Sequence, residues 1–192
     1  MKKTCIFFAV FLLAFAAAAA FSADEERGGA YVDAVTLARA DEGELRVSFK
    51  VRDIGGERLH DILDSGLPVK FTYSVRLVRL DKAIWEGDAV RQTFERVLEK
   101  DNLKNRFITT IDGKKLDFAE LSEALNVMGT VDDFTVCSLS MLSPKGKYQT
   151  EIQLRYAEFK LPFALHRLLP FLSKWDEKTP WKVVKVPREL YR

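Results

Sequence analysis

Leu45-Arg-Val-Ser-Phe-Lys-Val-Arg52 puts apolar side chains at every second position and polar ones between them. A period of two is that of a half-buried β-strand, with Leu45, Val47, Phe49 and Val51 facing inward. Upstream, Tyr31 to Ala40 predicts another strand, and Asp41-Glu-Gly43 is a short turn, so the two form an antiparallel hairpin. Downstream, Leu59, Ile62 and Leu63 have helical spacing within Glu57 to Asp64, and Gly66 stops that helix. Leu67-Pro68 then leads into a long strand whose inner face carries Val69, Phe71, Tyr73, Val75 and Leu77.

Further along, Val90, Phe94, Val97 and Leu98 fit a helix, yet Val90, Phe94 and Leu98 also share strand parity. Phe107 to Ile111 predicts a short strand ending at the tight turn Asp112-Gly113. Asp117 and Glu120 have the form of a capping box, with Phe118, Leu121, Leu125 and Met128 on one helical face up to Gly129. A second hairpin is expected from Phe134–Leu142, the turn Ser143-Pro-Lys-Gly146, and Tyr148–Glu158. Pro162 suits the first position of a third helix running to about Leu172. A terminal strand, Trp181–Val186, ends before Pro187. The order of hairpin, helix and strand thus occurs twice, which suggests an internal duplication.

These elements predict an α+β class: antiparallel β-sheet layers built from hairpins, with three short helices, in a single domain over residues 31–192. The chain's 192 residues suffice for one proper core and are too few for two full domains. Ahead of the domain, Lys2 and Lys3 precede the unbroken apolar run Ile6–Ala20, followed by small residues, as in a secretory signal peptide over 1–23. That run falls short of the roughly 20 residues a spanning helix needs. Residues 24–30 read as a disordered lead-in. The expected product is exported, periplasmic in a bacterium, with membrane association left open. Beyond the signal the chain holds 28 basic and 28 acidic residues, a balance that argues against a nucleic-acid partner.

The search for chemistry is mostly empty. His60 and His166 have no partner at metal spacing. No G-x-S-x-G, Walker loop or H-E-x-x-H occurs, so no catalytic residue, metal or cofactor is assigned. Ser65, Ser138 and the pair Asp132-Asp133 have nothing that singles them out. Cys137, the one cysteine beyond the signal, reads as a small apolar core residue. Two features stand out as binding candidates. Leu161–Leu172 is apolar on nearly all sides, and Leu165 and Leu168 would meet either the core or a second surface. The tryptophans Trp85, Trp175 and Trp181 are bordered by charges, and exposed Trp marks binding rims.

Ser65-Gly-Leu-Pro68 leading into Phe71 and Tyr73, then Trp85, Leu161-Pro-Phe163, Ser173-Lys-Trp-Asp176 and Thr179, resembles the proteobacterial domain-of-unknown-function family 4390. The resemblance covers the chain beyond its signal. It implies a strand over Asp88–Glu99, which tips that ambiguous stretch toward strand, and it supplies no catalytic residues. Some relatives are encoded near a membrane sensor kinase, which implies an envelope role. Three functions remain open at this point. The first is a non-enzymatic envelope module binding another protein or the membrane surface. The second is a carrier of a small apolar ligand between strands lined by Phe49, Phe71, Tyr73, Ile152, Leu154 and Tyr156. The third is an enzyme of unrecognised type.

Overall fold

A computed structural model describes residues 29–81, 90–156 and 177–191. The chain begins with β1 (Tyr31–Arg39), β2 (Glu44–Arg52), α1 (Glu57–Asp64), β3 (Val69–Arg79) and β4 (Val90–Asp101). It continues with β5 (Arg106–Ile111), β6 (Lys114–Phe118), α2 (Leu121–Gly129) and β7 (Thr130–Ser138). After a 3-10 turn at Leu139–Met141 come β8 (Tyr148–Tyr156), β9 (Glu177–Lys178) and β10 (Lys182–Lys185). A second 3-10 turn, Arg188–Leu190, follows. The strands form two antiparallel sheets. The smaller has the order β1-β2-β7, and the larger runs β10-β8-β3-β4-β5-β6, with β9 also pairing β8.

The central strand of the larger sheet is β3, and its alternation sets the core. Val69, Phe71, Tyr73, Val75 and Leu77 are at most 1% exposed, while the residues between them are half-buried. Tyr73 stands opposite Phe94 on β4 and Leu154 on β8. The small sheet packs on this face through Phe49, 6.2 Å from the Tyr73 ring, and Phe134, 4.5 Å from Phe94. A Phe94–Tyr73 stack at 4.8 Å joins the two contacts into one aromatic row. Each large side chain buried here contributes about 1.5–3 kcal/mol, which makes this row the energetic centre of the fold.

The ambiguous stretch is strand: β4 pairs with β3 from Leu98 to Val90. Pairing on both sides outweighs the local helical spacing, because β4 is an interior strand that buries Leu98 and Phe94 against β3. The β1–β2 hairpin also forms as expected, with Gly43 at φ +74° in its turn.

Three expectations need correction. The second hairpin does not form: β7 pairs with β2, whereas β8 pairs with β3. Both β2 and β3 are buried strands that need a second neighbour, and the link between β7 and β8 carries the chain from one sheet to the other. Leu139 N–H donates to Gly43 C=O at 2.8 Å at one end of that link, and Leu80 N–H to Lys147 C=O at 2.8 Å at the other. With the hairpin goes the suggested duplication. Asp117 is not a helix cap either, since the Asp112-Gly113 turn folds residues 114–118 back as β6, where Asp117 pairs with Arg106 at 2.7 Å. The helix starts only at Leu121. Finally, the described residues hold two α-helices rather than three, and the third, expected over residues 162–172, lies outside them.

Helix α2 is held from behind by Arg96. This residue shares the inward parity of Phe94 and Leu98 and is only 9% exposed. Its Nη1 donates to the carbonyls of Val127 at 3.0 Å, Met128 at 2.9 Å and Thr130 at 2.6 Å. A cation at a helix C-terminus satisfies orphan carbonyls and complements the helix dipole. The Tyr73 hydroxyl donates to the same Met128 carbonyl, and Arg96 lies 5.4 Å from the Tyr73 ring centre. Burial pushes the Tyr73 phenol well above the usual tyrosine range, so it stays a donor. Gly129 lets the helix end touch β2: a Cβ there would stand 2.7 Å from the Val51 carbonyl oxygen.

Removal of the guanidinium in Arg96→Met should cost about 3 kcal/mol in urea unfolding, since charge-assisted bonds to buried carbonyls are lost. Tyr73→Phe should cost about 1 kcal/mol. Equal, near-zero costs for both would show that α2 is held by packing alone.

Candidate functional site

Trp181 is the one sequence-derived binding candidate among the described residues, and it lies just before β10, at an edge of the larger sheet. It is 38% exposed, with the Arg76 guanidinium 4.1 Å from its ring centre. Arg76 comes from β3, two strands away, and the side chain that fixes it is Glu151 on β8 between them. Arg76 Nε and Nη2 approach Glu151 Oε2 at 2.6 and 2.5 Å, while Gln149 Nε2 donates to Oε1 at 2.5 Å. Glu151 itself is 8% exposed, and it holds the half-buried guanidinium over the indole, where a cation is attracted to the ring face. Period two accounts for the arrangement. Arg76 and Glu151 are register partners on the outer face, and Glu151 is in turn opposite Val183, which is 50% exposed. The row Lys70, Thr72, Ser74 and Arg76 is half-buried, with Lys70 paired to Glu95 at 2.8 Å.

Beside this corner lies the base of a chain excursion. Tyr156 and Glu177 are cross-strand partners, as are Arg155 and Lys178, so the chain positions on either side of 157–176 lie next to each other in the sheet. Thr179, 1% exposed, fastens the return: its N–H donates to Leu154 C=O at 2.8 Å, and its hydroxyl accepts from Leu154 N–H at 3.0 Å. Gln153 Nε2 donates to the Thr179 carbonyl at 2.9 Å. The Tyr156 hydroxyl donates to Glu177 Oε2 at 2.7 Å, and burial together with that carboxylate raises its pKa above the ordinary tyrosine value. Four hydrogen bonds thus tie residues 153–156 to residues 177–179.

The other candidates, Trp85, Leu165, Leu168 and Trp175, lie outside the described residues. Phe49, Phe71, Tyr73, Ile152, Leu154 and Tyr156 belong to the common core, with Phe71 and Tyr156 stacked at 5.6 Å. His60 borders a shallow, open depression of ≈540 Å³ with Gly56, Glu57 and Asp61 at the start of α1. Cys137 is buried, and burial raises its thiol pKa. Asp132 and Asp133 are exposed on β7. Among the described residues no three of His, Cys, Asp and Glu gather in a way that would hold a metal ion. No described helix is long and apolar enough to cross a membrane.

Sequence reasoning did not find the Arg76–Glu151 pair or the Tyr156–Glu177 bond. Their partners are 75 and 21 residues apart, and only the register brings them together. Thr179 did carry a signal, as one of the positions that support the family resemblance.

Glu151→Gln should leave Arg76 short of its charge partner and cost about 1–2 kcal/mol of stability. With Trp85 and Trp175 replaced by Phe, the same change should make Trp181 emission more easily quenched by acrylamide. Unchanged quenching would mean that Arg76 does not fix the indole.

Neither a search of curated proteins nor one of solved structures finds a match to this chain. One family profile does match: Domain of unknown function (DUF4390), over residues 28–185, a range that begins just before the first described strand and ends with β10. A match across both sheets and the excursion base makes the chain a member of the DUF4390 family.

Proposed function

We propose that the protein is an exported, non-enzymatic module of the cell envelope that binds another protein or the membrane surface. The single observation that carries this reading is the pinned base formed by Tyr156, Glu177 and Thr179. A stretch as apolar as Leu161–Leu172 is normally part of a core or of an interface. Among the described residues the core is built from side chains of the strands, of α1 and α2, and of the turns around Leu139–Leu142 and Val186–Tyr191. A segment whose two ends are paired at adjacent sheet positions suits presentation of such a stretch to a second surface. Trp181, contacted by Arg76 at the neighbouring corner, has the composition of a binding rim: an aromatic ring with an arginine. The charged n-region and apolar run of residues 1–23 support export.

The double substitution Leu165→Ser and Leu168→Ser separates an interface from a core segment. For an interface, the urea midpoint should stay close to that of the parent, while crosslinking in the intact envelope should lose its partner band. Loss of several kcal/mol would instead make the segment core and sink the proposal. Mass spectrometry of the protein purified from the envelope tests export directly. A denatured mass that retains residues 1–20 would count against a cleaved signal.

A further inference from the structure

β10 buries little of itself. Of its four residues, Lys182, Val183 and Lys185 are exposed and Val184 is half-buried, with β1 lying alongside. So short a strand, with so little apolar burial, belongs to the low-stability end of a fold and depends on how its ends are anchored. Thr179 on Leu154 anchors the approach to it. The opposite anchor follows the strand. Val186 N–H donates to the Tyr148 carbonyl at 3.0 Å, and Val184, opposite Thr150, shares its phase in the ladder. Pro187 has no N–H and ends the pairing. The 3-10 turn Arg188–Leu190 then turns the chain back, so that Tyr191 lands on Tyr148.

Tyr191 touches both the start of β8 and the link that leads into it. Its ring meets the Tyr148 ring edge to face, with centres 5.4 Å apart and planes at 88°. Its hydroxyl donates to the Gly146 carbonyl at 2.9 Å, in a buried position. Tyr148 is itself fixed to the link, because its hydroxyl accepts from Ser143 N–H at 2.9 Å. Gly146 lies so close that a Cβ there would stand 2.7 Å from the Tyr148 side chain. Its own N–H closes the turn onto the Ser143 carbonyl at 2.9 Å. Val186 and Tyr191 are buried, whereas Pro187, Arg188 and Glu189 between them are exposed. The segment is therefore a strap anchored at each end, and its larger anchor is an aromatic ring with a satisfied hydroxyl.

We propose that residues 186–191 are a latch on the larger sheet. Seated on Tyr148 and Gly146, Tyr191 holds β10 in place and holds the 143–147 link with it. When the ring leaves its seat, β10 and the link loosen together as one local unit, while both sheets otherwise stay closed. Trp181 stands just ahead of β10, so the indole that meets Arg76 is fixed only while the latch is shut. This device belongs to the protein alone and works the same whatever the Trp181 corner binds.

Amide hydrogen exchange on the full chain tests the latch, with Tyr191→Ala removing the ring and Tyr191→Phe removing only its hydroxyl. In Tyr191→Ala the amides of Ser143, Gly146, Val184 and Val186 should exchange at least about tenfold faster, because the burial of a large side chain is lost. In Tyr191→Phe the same amides should exchange about fivefold faster, the effect of one neutral hydrogen bond. The Leu154 and Thr179 amides, at the other anchor, should keep the parent's rates. With Trp85 and Trp175 replaced by Phe, Trp181 emission should be quenched more readily by acrylamide in the Tyr191→Ala protein. Should Tyr191→Ala fail to fold, Tyr191→Phe carries both readouts. Uniform acceleration at both anchors would make Tyr191 an ordinary core residue and overturn the latch. Unchanged exchange at Val184 and Val186, or unchanged quenching of Trp181, would overturn it equally. None of these readouts uses a partner, so the latch and the envelope reading stand or fall separately.

Discussion

The protein depends on one buried cation. Arg96 sits on the inner face of the larger sheet, where a charge is costly unless its donors are used. Its Nη1 is used by three backbone carbonyls at the end of α2. That contact decides where the helix ends, and thereby where β7 starts, one residue later. Because β7 completes the smaller sheet and brings Phe134 onto Phe94, the position of one guanidinium connects β4, α2 and the packing between sheets. The Tyr73 hydroxyl on the same carbonyl ties the central strand to the junction.

The division of strands between the sheets follows from what the central strands require. β2 and β3 are apolar on one face and need neighbours on both edges. Their sequence-adjacent partners satisfy only one edge each, so β7 and β8 supply the others. At β8 this division also creates the corner that carries Trp181. Its far edge receives β9 and β10 in line, with Thr179 fastened to Leu154 between them and Glu151 holding Arg76 under Trp181. The hydrogen-bonded end of β8 and the Arg76–Trp181 contact thus occupy one side of the sheet.

Local pattern carried much of this in the linear chain. The inward faces of β2 and β3 were legible from alternation at Leu45–Val51 and Val69–Leu77, and α1 from Leu59, Ile62 and Leu63. Asp112-Gly113 showed its turn, although what followed was strand, not the helix start suggested by Asp117 and Glu120. A capping box and a short strand look alike over four residues, and the tight turn at Asp112-Gly113, which folds 114–118 back onto β5, decided between them. The β4 stretch was ambiguous for the same reason. Its helical and strand parities overlap at Phe94 and Leu98, and the outcome rests on pairing with β3. Trp181 was visible as a candidate by residue type alone, while the Arg76 and Glu151 that orient it were not.

The sequence by itself determined the period and buried side of β2, β3 and α1 and the antiparallel α+β class. Those properties depend on neighbours two to four residues away. Tertiary structure decided which strands share a sheet, that Arg96 points inward to a helix end, and that Tyr156 meets Glu177. These are long-range choices, set by which edges remain unpaired once the local elements exist. Many sequences with the same alternation would be equally consistent with other pairings. Only closure of a common core, with its polar groups satisfied, selects this one.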